Sequence, residues 1–183
     1  KGKVHNVEHH RSHLASAFFA SPFEEAALLS IDGFGDFTST MIATGKGNKI
    51  EVLDSVIYPH SAGIFYTSLT QYLGFPHYGD EYKVMGLAPY GEPKYMDELR
   101  QVIHLKDNGL FELNLKYFKH VKDGVSMSWE NGDPHIESIF SEELERLLGP
   151  ARKAGEELTQ KHKDIATSVQ RVTEELIFHI LNH

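Results

Sequence analysis

Ala26-Ala27-Leu28-Leu29-Ser30-Ile31-Asp32-Gly33-Phe34-Gly35-Asp36 is an apolar run closing on two aspartates and two glycines within five residues. The run from Ala26 to Ile31 predicts a buried strand, and Asp32 to Asp36 a tight acidic loop at its end. Thr38 to Thr44 alternates weakly and predicts a second strand. Gly45-Lys46-Gly47-Asn48 then turns the chain into a third, Ile50 to Val56, before Pro59 closes the block. Three strands joined by short turns make an antiparallel meander, with the acidic glycine loop at one end.

Working outward, Asn6 is placed to cap a helix from about Val7 to Ala20, ended by Ser21-Pro22, with Val7, His10, Leu14, Ala17 and Phe18 near one face. On that helix His9 and His13 are four residues apart, one turn above each other, while His10 points elsewhere. Two imidazoles at this spacing can converge on a divalent cation, and they suit zinc, iron, nickel or cobalt better than magnesium, which prefers oxygen. A chain with 12 histidines also places two of them four apart by chance on a solvated surface. Likewise, Asp32 to Asp36 reads either as a plain hairpin turn or as a loop whose glycines bring backbone N–H groups to an anion.

Past Pro59, Phe65, Leu69, Tyr72 and Leu73 share one face of a predicted helix, Ala62 to Leu73, with Gly74 as its terminator. Gly79 to Ala88 mixes glycine, charge and apolar residues and reads as a loop with a short helix, broken by Pro89-Tyr90-Gly91. Glu81 there can bond a hydroxyl and Lys83 can neutralise phosphate, although a solvated loop accounts for both charges. A helix is predicted from Lys94 to about Ile103, a short strand from Leu110 to Leu115, and a polar, turn-rich stretch from Lys119 to Pro134. Helices from about Ser138 to Leu148 and from Ile165 onward complete the pattern, with a charged, partly helical stretch between Arg152 and Lys163.

Composition narrows the function classes. The 183 residues are 40% hydrophobic and 24% charged, enough for one ordinary globular domain with a real core. A net charge of -8 with scattered Lys and Arg provides no basic track for a nucleic-acid backbone, so no nucleic-acid partner is expected. No apolar run approaches the roughly 18–20 residues that span a bilayer, so no membrane partner is expected and the chain reads as cytoplasmic. With 0 Cys, a metal must be held by nitrogen and oxygen, and nucleophilic catalysis by cysteine is excluded.

Taken together, His9-His10-Arg11-Ser12-His13 with Ser16-Ala17-Phe18, Ile31-Asp32-Gly33-Phe34-Gly35-Asp36, Gly63-Ile64-Phe65-Tyr66, and Gly79-Asp80-Glu81-Tyr82-Lys83-Val84-Met85-Gly86-Leu87-Ala88-Pro89-Tyr90-Gly91 strongly resemble the NodU-type O-carbamoyltransferases. The order and spacing of these blocks, from about Val4 to Gly91, carry the resemblance. It implies an α/β fold: part of an actin-like ATPase (ribonuclease-H-like) domain, with a mixed sheet, a β-meander and flanking helices. A domain of this kind is similar to the tRNA threonylcarbamoyl-transfer protein and to the carbamoyltransferase of hydrogenase maturation.

On this resemblance, residues 1–183 are a fragment of the N-terminal domain, and a YrdC-like domain follows elsewhere. That second domain makes carbamoyl adenylate from ATP and carbamoyl phosphate, and the first moves the carbamoyl group to the hydroxyl of a small molecule. His9, His13 and Asp32 are then expected as ligands of a divalent metal, iron or zinc, with a further aspartate ligand beyond His183. Gly33, Gly35 and Asp36 are expected on the phosphate side, and Glu81, Lys83 and Gly86 on the nucleotide side. The opening strands of the fold are expected before Lys1, and a half-domain with uncovered apolar surface has reason to form a homodimer. The rival readings are a metal-binding or protein-interaction module without activity of its own, and carbamoyl transfer to tRNA or in hydrogenase maturation.

Overall fold

A computed structural model describes residues 2–130 and 132–183, which form two compact units divided after Gly63. In the first, helix α1 (His9–Phe18) precedes strands β1 (Glu25–Gly35), β2 (Thr38–Lys46) and β3 (Lys49–Ile57). The strands pair antiparallel in the order β1-β2-β3, as short turns between consecutive strands require. At the second turn Gly47 has φ +57°, the left-handed region a tight connection needs. Helix α1 packs on β1 and β2, where Leu14 and Phe18 meet Leu28, Met41 and Ala43.

Two expectations shift here. The helix starts at His9 and is capped by Glu8, whose carboxylate accepts the backbone N–H groups of His10 and Arg11. Asn6 does not cap it, and Val7 is exposed, because the reach of the Glu8 side chain satisfies the first turn two residues later. The second shift concerns Asp32 to Gly35, which belongs to β1 rather than to a loop. The register with β2 slips between Ile31 and Gly35, so the chain stays extended while the bulge re-aims its side chains.

The second unit is mainly helical. Helix α2 (Ala62–Tyr72) leads into α3 (Glu81–Leu87), a 3-10 turn at Ala88–Tyr90, and the short α4 (Met96–Leu99). Strands β4 (Ile103–Leu105) and β5 (Phe111–Leu113) pair antiparallel, as do β6 (Met127–Glu130) and β7 (Asp133–Ile136), with α5 (His120–Asp123) between the hairpins. Helices α6 (Glu142–Leu148) and α7 (Gln160–Asn182) complete the unit. Along α7, Ile165, Val169, Val172, Leu176 and Ile180 are buried at helical spacing. Each large aliphatic side chain so buried contributes roughly 1.5–3 kcal/mol. Helix α7 packs against α3 and α4, and Phe65, Leu69, Tyr72 and Leu73 of the α2 region are fully buried as their common face predicts.

The α/β class holds, but the mixed sheet does not. Every sheet among the described residues is antiparallel, because each pair of strands is joined by a turn too short for a parallel crossover. The helix expected from Lys94 to Ile103 shrinks to Met96–Leu99, and Ile103 is drawn into β4 by its partner Leu113. The stretch from Lys119 to Pro134 contains α5, β6 and the start of β7 instead of turns alone; Asn131 lies outside the described residues.

Candidate metal centre

Helix α1 is set on the sheet by its one fully buried polar side chain. His10 Nε2 lies 2.9 Å from the Thr38 carbonyl and Nδ1 lies 2.8 Å from Ser30 Oγ. A carbonyl only accepts, so Nε2 carries the proton and Nδ1 accepts the Ser30 hydroxyl. With His10 turned inward, His9 and His13 fall on the flank of the helix that faces the end of β1.

The strand side is held equally firmly. Ser61 Oγ donates to the carbonyls of Gly33 at 2.6 Å and Asp32 at 3.1 Å. Gly63, in the first turn of α2, approaches so closely that a Cβ there would stand 2.7 Å from Gly33 N and 2.8 Å from the Asp32 carbonyl oxygen. Asp32 Oδ1 accepts the Gly33 N–H at 2.7 Å, which leaves Oδ2 directed at the histidines.

Three atoms meet there. His9 Nε2 is 2.9 Å from Asp32 Oδ2 and 2.9 Å from His13 Nε2, and His13 Nε2 is 3.4 Å from Asp32 Oδ2. Protons alone cannot satisfy this triangle. If His9 Nε2 carries a proton it can point at Asp32 or at His13, and if it carries a lone pair that pair opposes the Asp32 carboxylate. One cation satisfies all three, since ligand atoms bound at roughly 2.0–2.1 Å stand about 2.9 Å apart at a right angle and about 3.3 Å apart at the tetrahedral angle. The donor set therefore fits a divalent metal that accepts imidazole. Burial raises the Asp32 carboxyl, but the hydrogen bond from His9, the Gly33 N–H and the nearby imidazoles outweigh it and hold the group below its ordinary value. All three side chains remain about half exposed, so the site is open on one side.

The other sequence-expected residues divide by unit. Gly33 has open space where a Cβ would stand, while Gly35 is filled on that side by the His9 ring, and Asp36 Oδ2 accepts the His9 N–H at 3.2 Å. In the second unit, Glu81, Lys83 and Gly86 lie together on α3. Glu81 accepts the Thr67 hydroxyl at 2.6 Å, and Lys83 pairs with Asp80 at 2.6 Å, which raises its pKa. Gly86 is exposed, with open space where a Cβ would stand. Ser61, Ser30 and Thr38 were not singled out from the sequence. Ser61 immediately before the Ala62-Gly63 helix start is the signal available, since a small polar residue there can bond backward to a strand.

The comparisons with known proteins agree with the motif pattern. Residues 1–183 match the family described as Carbamoyltransferase N-terminus. The chain is 42% identical to uncharacterized protein sll1178 of Synechocystis over 177 residues, covering 96% of this chain and 27% of that protein. It is 37% identical to nodulation protein NolNO of Sinorhizobium fredii, covering 99% of this chain and 23% of that one. Against nodulation protein NolO of Bradyrhizobium diazoefficiens the identity is 35%, covering 97% and 28%. The chain thus spans about a quarter of the length of these relatives. With the whole of its length matched, the chain belongs to the carbamoyltransferase N-terminus family.

Proposed function

We propose that this chain supplies the cation-holding part of an O-carbamoyltransferase of the actin-like ATPase superfold, which moves a carbamoyl group from carbamoyl phosphate, through carbamoyl adenylate, to a hydroxyl of a small molecule. The single observation that supports the site is the triangle of His9 Nε2, His13 Nε2 and Asp32 Oδ2, each atom within 3.4 Å of the other two. Family membership supports carbamoyl transfer as the chemistry.

In the transfer, the bond from the carbamoyl carbon to the adenylate phosphate oxygen breaks, a bond to the acceptor oxygen forms, and the hydroxyl proton and AMP leave. A divalent cation at the site, iron or zinc by its nitrogen-rich donors, supplies Lewis-acid polarisation of the carbamoyl carbonyl and charge for the phosphate leaving group. His9 and His13 hold their imidazoles at one point from successive turns of α1, which packs on β1 and β2. Asp32 contributes the anionic oxygen, oriented by the Gly33 N–H and by the Ser61 clamp on its backbone. Gly33 leaves its backbone open, as close approach of a phosphate requires. Glu81, Lys83 and Gly86 are assigned to the nucleotide by the motif pattern alone.

Incubation of the full-length protein with ATP, carbamoyl phosphate and a panel of polyhydroxylated acceptors tests the reading. Release of AMP with a carbamoylated acceptor in the mass spectrum is expected. In a His9→Ala, His13→Ala double variant, acceptor carbamoylation is expected to collapse. Consumption of neither ATP nor carbamoyl phosphate across the panel would overturn the proposal.

A further inference from the structure

Two consecutive residues at the end of β1 both abut the same residue, His9. Gly35 does not lie in the left-handed region, so no backbone requirement calls for glycine there. The requirement is space: a Cβ at Gly35 would fall inside the His9 imidazole, against its Cγ, Cδ2 and Nε2 atoms. The next residue, Asp36, is the one described non-glycine residue with positive φ, at +56°. Glycine, asparagine and aspartate all tolerate such a position, so aspartate in place of the freer glycine points to a use for its side chain. That use is visible, since Asp36 Oδ2 accepts the backbone N–H of His9 at the first residue of α1.

We propose that Gly35 and Asp36 are positioning residues for His9, the first seating its ring flat against the strand and the second fixing its backbone, so that Nε2 is aimed at Asp32 Oδ2 and His13 Nε2. This rests on the reading of His9, His13 and Asp32 as a cation site. The acidic glycine segment then holds three distinct roles. Asp32 is a ligand, Gly33 leaves the open face, and Gly35 with Asp36 serve the imidazole rather than a phosphate. An ordinary Ala at position 35 would have to push the ring off the strand and with it the donor atom.

Cobalt(II) titration of the full-length protein, followed by its visible absorption band and alongside thermal unfolding, tests the assignment. Gly35→Ala and Asp36→Gly are each expected to weaken cobalt(II) binding about 10- to 100-fold, the range for residues that orient a ligand, and to change the band. Asp36→Gly relieves the backbone, so its melting temperature is expected to hold, and it carries the test even where Gly35→Ala does not fold. Gly45→Ala is the comparison: its Cβ would press on Phe18 of the same helix, so it is expected to lower the melting temperature while keeping affinity and band. Equal weakening by Gly45→Ala would overturn the proposal in favour of general packing. Wild-type affinity and band in both Gly35→Ala and Asp36→Gly, with cobalt(II) lost from the His9→Ala, His13→Ala double variant, would overturn it and leave the cation site standing. Cobalt(II) retained by that double variant would remove the cation site and this assignment together.

Discussion

Asp164, buried on α7, accepts the backbone N–H of Glu92 at 2.9 Å, tying the chain after the 3-10 turn to a helix 72 residues further on. Gln160 donates to the same carboxylate at 2.8 Å, Lys94 stands 3.4 Å away, and Gly91 leaves no room for a Cβ against the Lys163 backbone. The bond from Gln160, together with the Glu92 N–H and Lys94, outweighs burial and lowers the carboxyl pKa. A carboxyl with a lowered folded-state pKa contributes stability that is complete above the unfolded value, about 3.9. That contribution is lost as pH falls through the lower folded value. Denaturant midpoints measured from pH 7 to pH 3 are therefore expected to fall in the acid limb for the wild type. They are expected to fall less steeply for Asp164→Asn, which starts from a lower value at pH 7.

His10 is the second test, because it anchors α1 without being a candidate ligand. Replacing it by Ala removes a partner from the buried Ser30 hydroxyl and from the part-buried Thr38 carbonyl, and leaves a cavity where the fully buried imidazole stood. A loss of roughly 2–4 kcal/mol is expected in equilibrium unfolding. His10→Gln, which can restore one of the two bonds, is expected to recover part of it. Equal stability of wild type and His10→Ala would show that the two hydrogen bonds are not what holds the helix on the sheet.

Much of this arrangement was legible in the sequence where periodicity and punctuation agree. The meander followed from apolar runs separated by Gly45-Lys46-Gly47-Asn48, and the α2 face from Phe65, Leu69, Tyr72 and Leu73 before Gly74, whose φ of +79° confirms a terminator. Spacing placed His9 and His13 on one flank of a helix. What spacing could not reach was anything decided across the chain. The partner of Ile103 is Leu113, so a segment with helical periodicity ends as a strand. Asp32 to Gly35 carries turn residues yet remains in β1, because Ser61 and Gly63 clamp its backbone from 28 or more residues away. Helix α7 begins at Gln160, before its apolar stripe, because Thr159 and His162 form a reciprocal cap that Ser/Thr-x-x-Glu patterns do not describe.

Arg152 gives a third prediction, on the termination of α2. Its Nη1 donates to the Leu73 carbonyl at 2.8 Å, its Nη2 to the Glu156 carbonyl at 2.6 Å, and its guanidinium lies 5.3 Å from the centre of the Phe75 ring. The last carbonyls of a helix need partners, and a planar fork can serve two backbone oxygens while stacking on an aromatic face. Arg152→Ala is expected to cost about 1–3 kcal/mol in denaturant unfolding. Arg152→Lys is expected to recover little, since an ammonium cannot span both carbonyls. Full rescue by Lys would reduce the role of Arg152 to its charge.

The triangle at the end of β1 makes a final prediction that needs no turnover. His9 Nε2 faces Asp32 Oδ2 and His13 Nε2 with one proton position for two partners, and the unfolded chain does not hold these three donors together. Zinc(II) at about 100 times its dissociation constant is then expected to stabilise the fold by roughly 2.7 kcal/mol, read as a rise in melting temperature that a chelator reverses. Removing one ligand by His13→Ala is expected to abolish most of the rise. In the metal-free form the same variant is expected to unfold no earlier than wild type, because His13 is exposed and its contacts with His9 and Asp32 contribute little in water. A rise of the same size in His13→Ala would place the stabilising ion elsewhere on the chain.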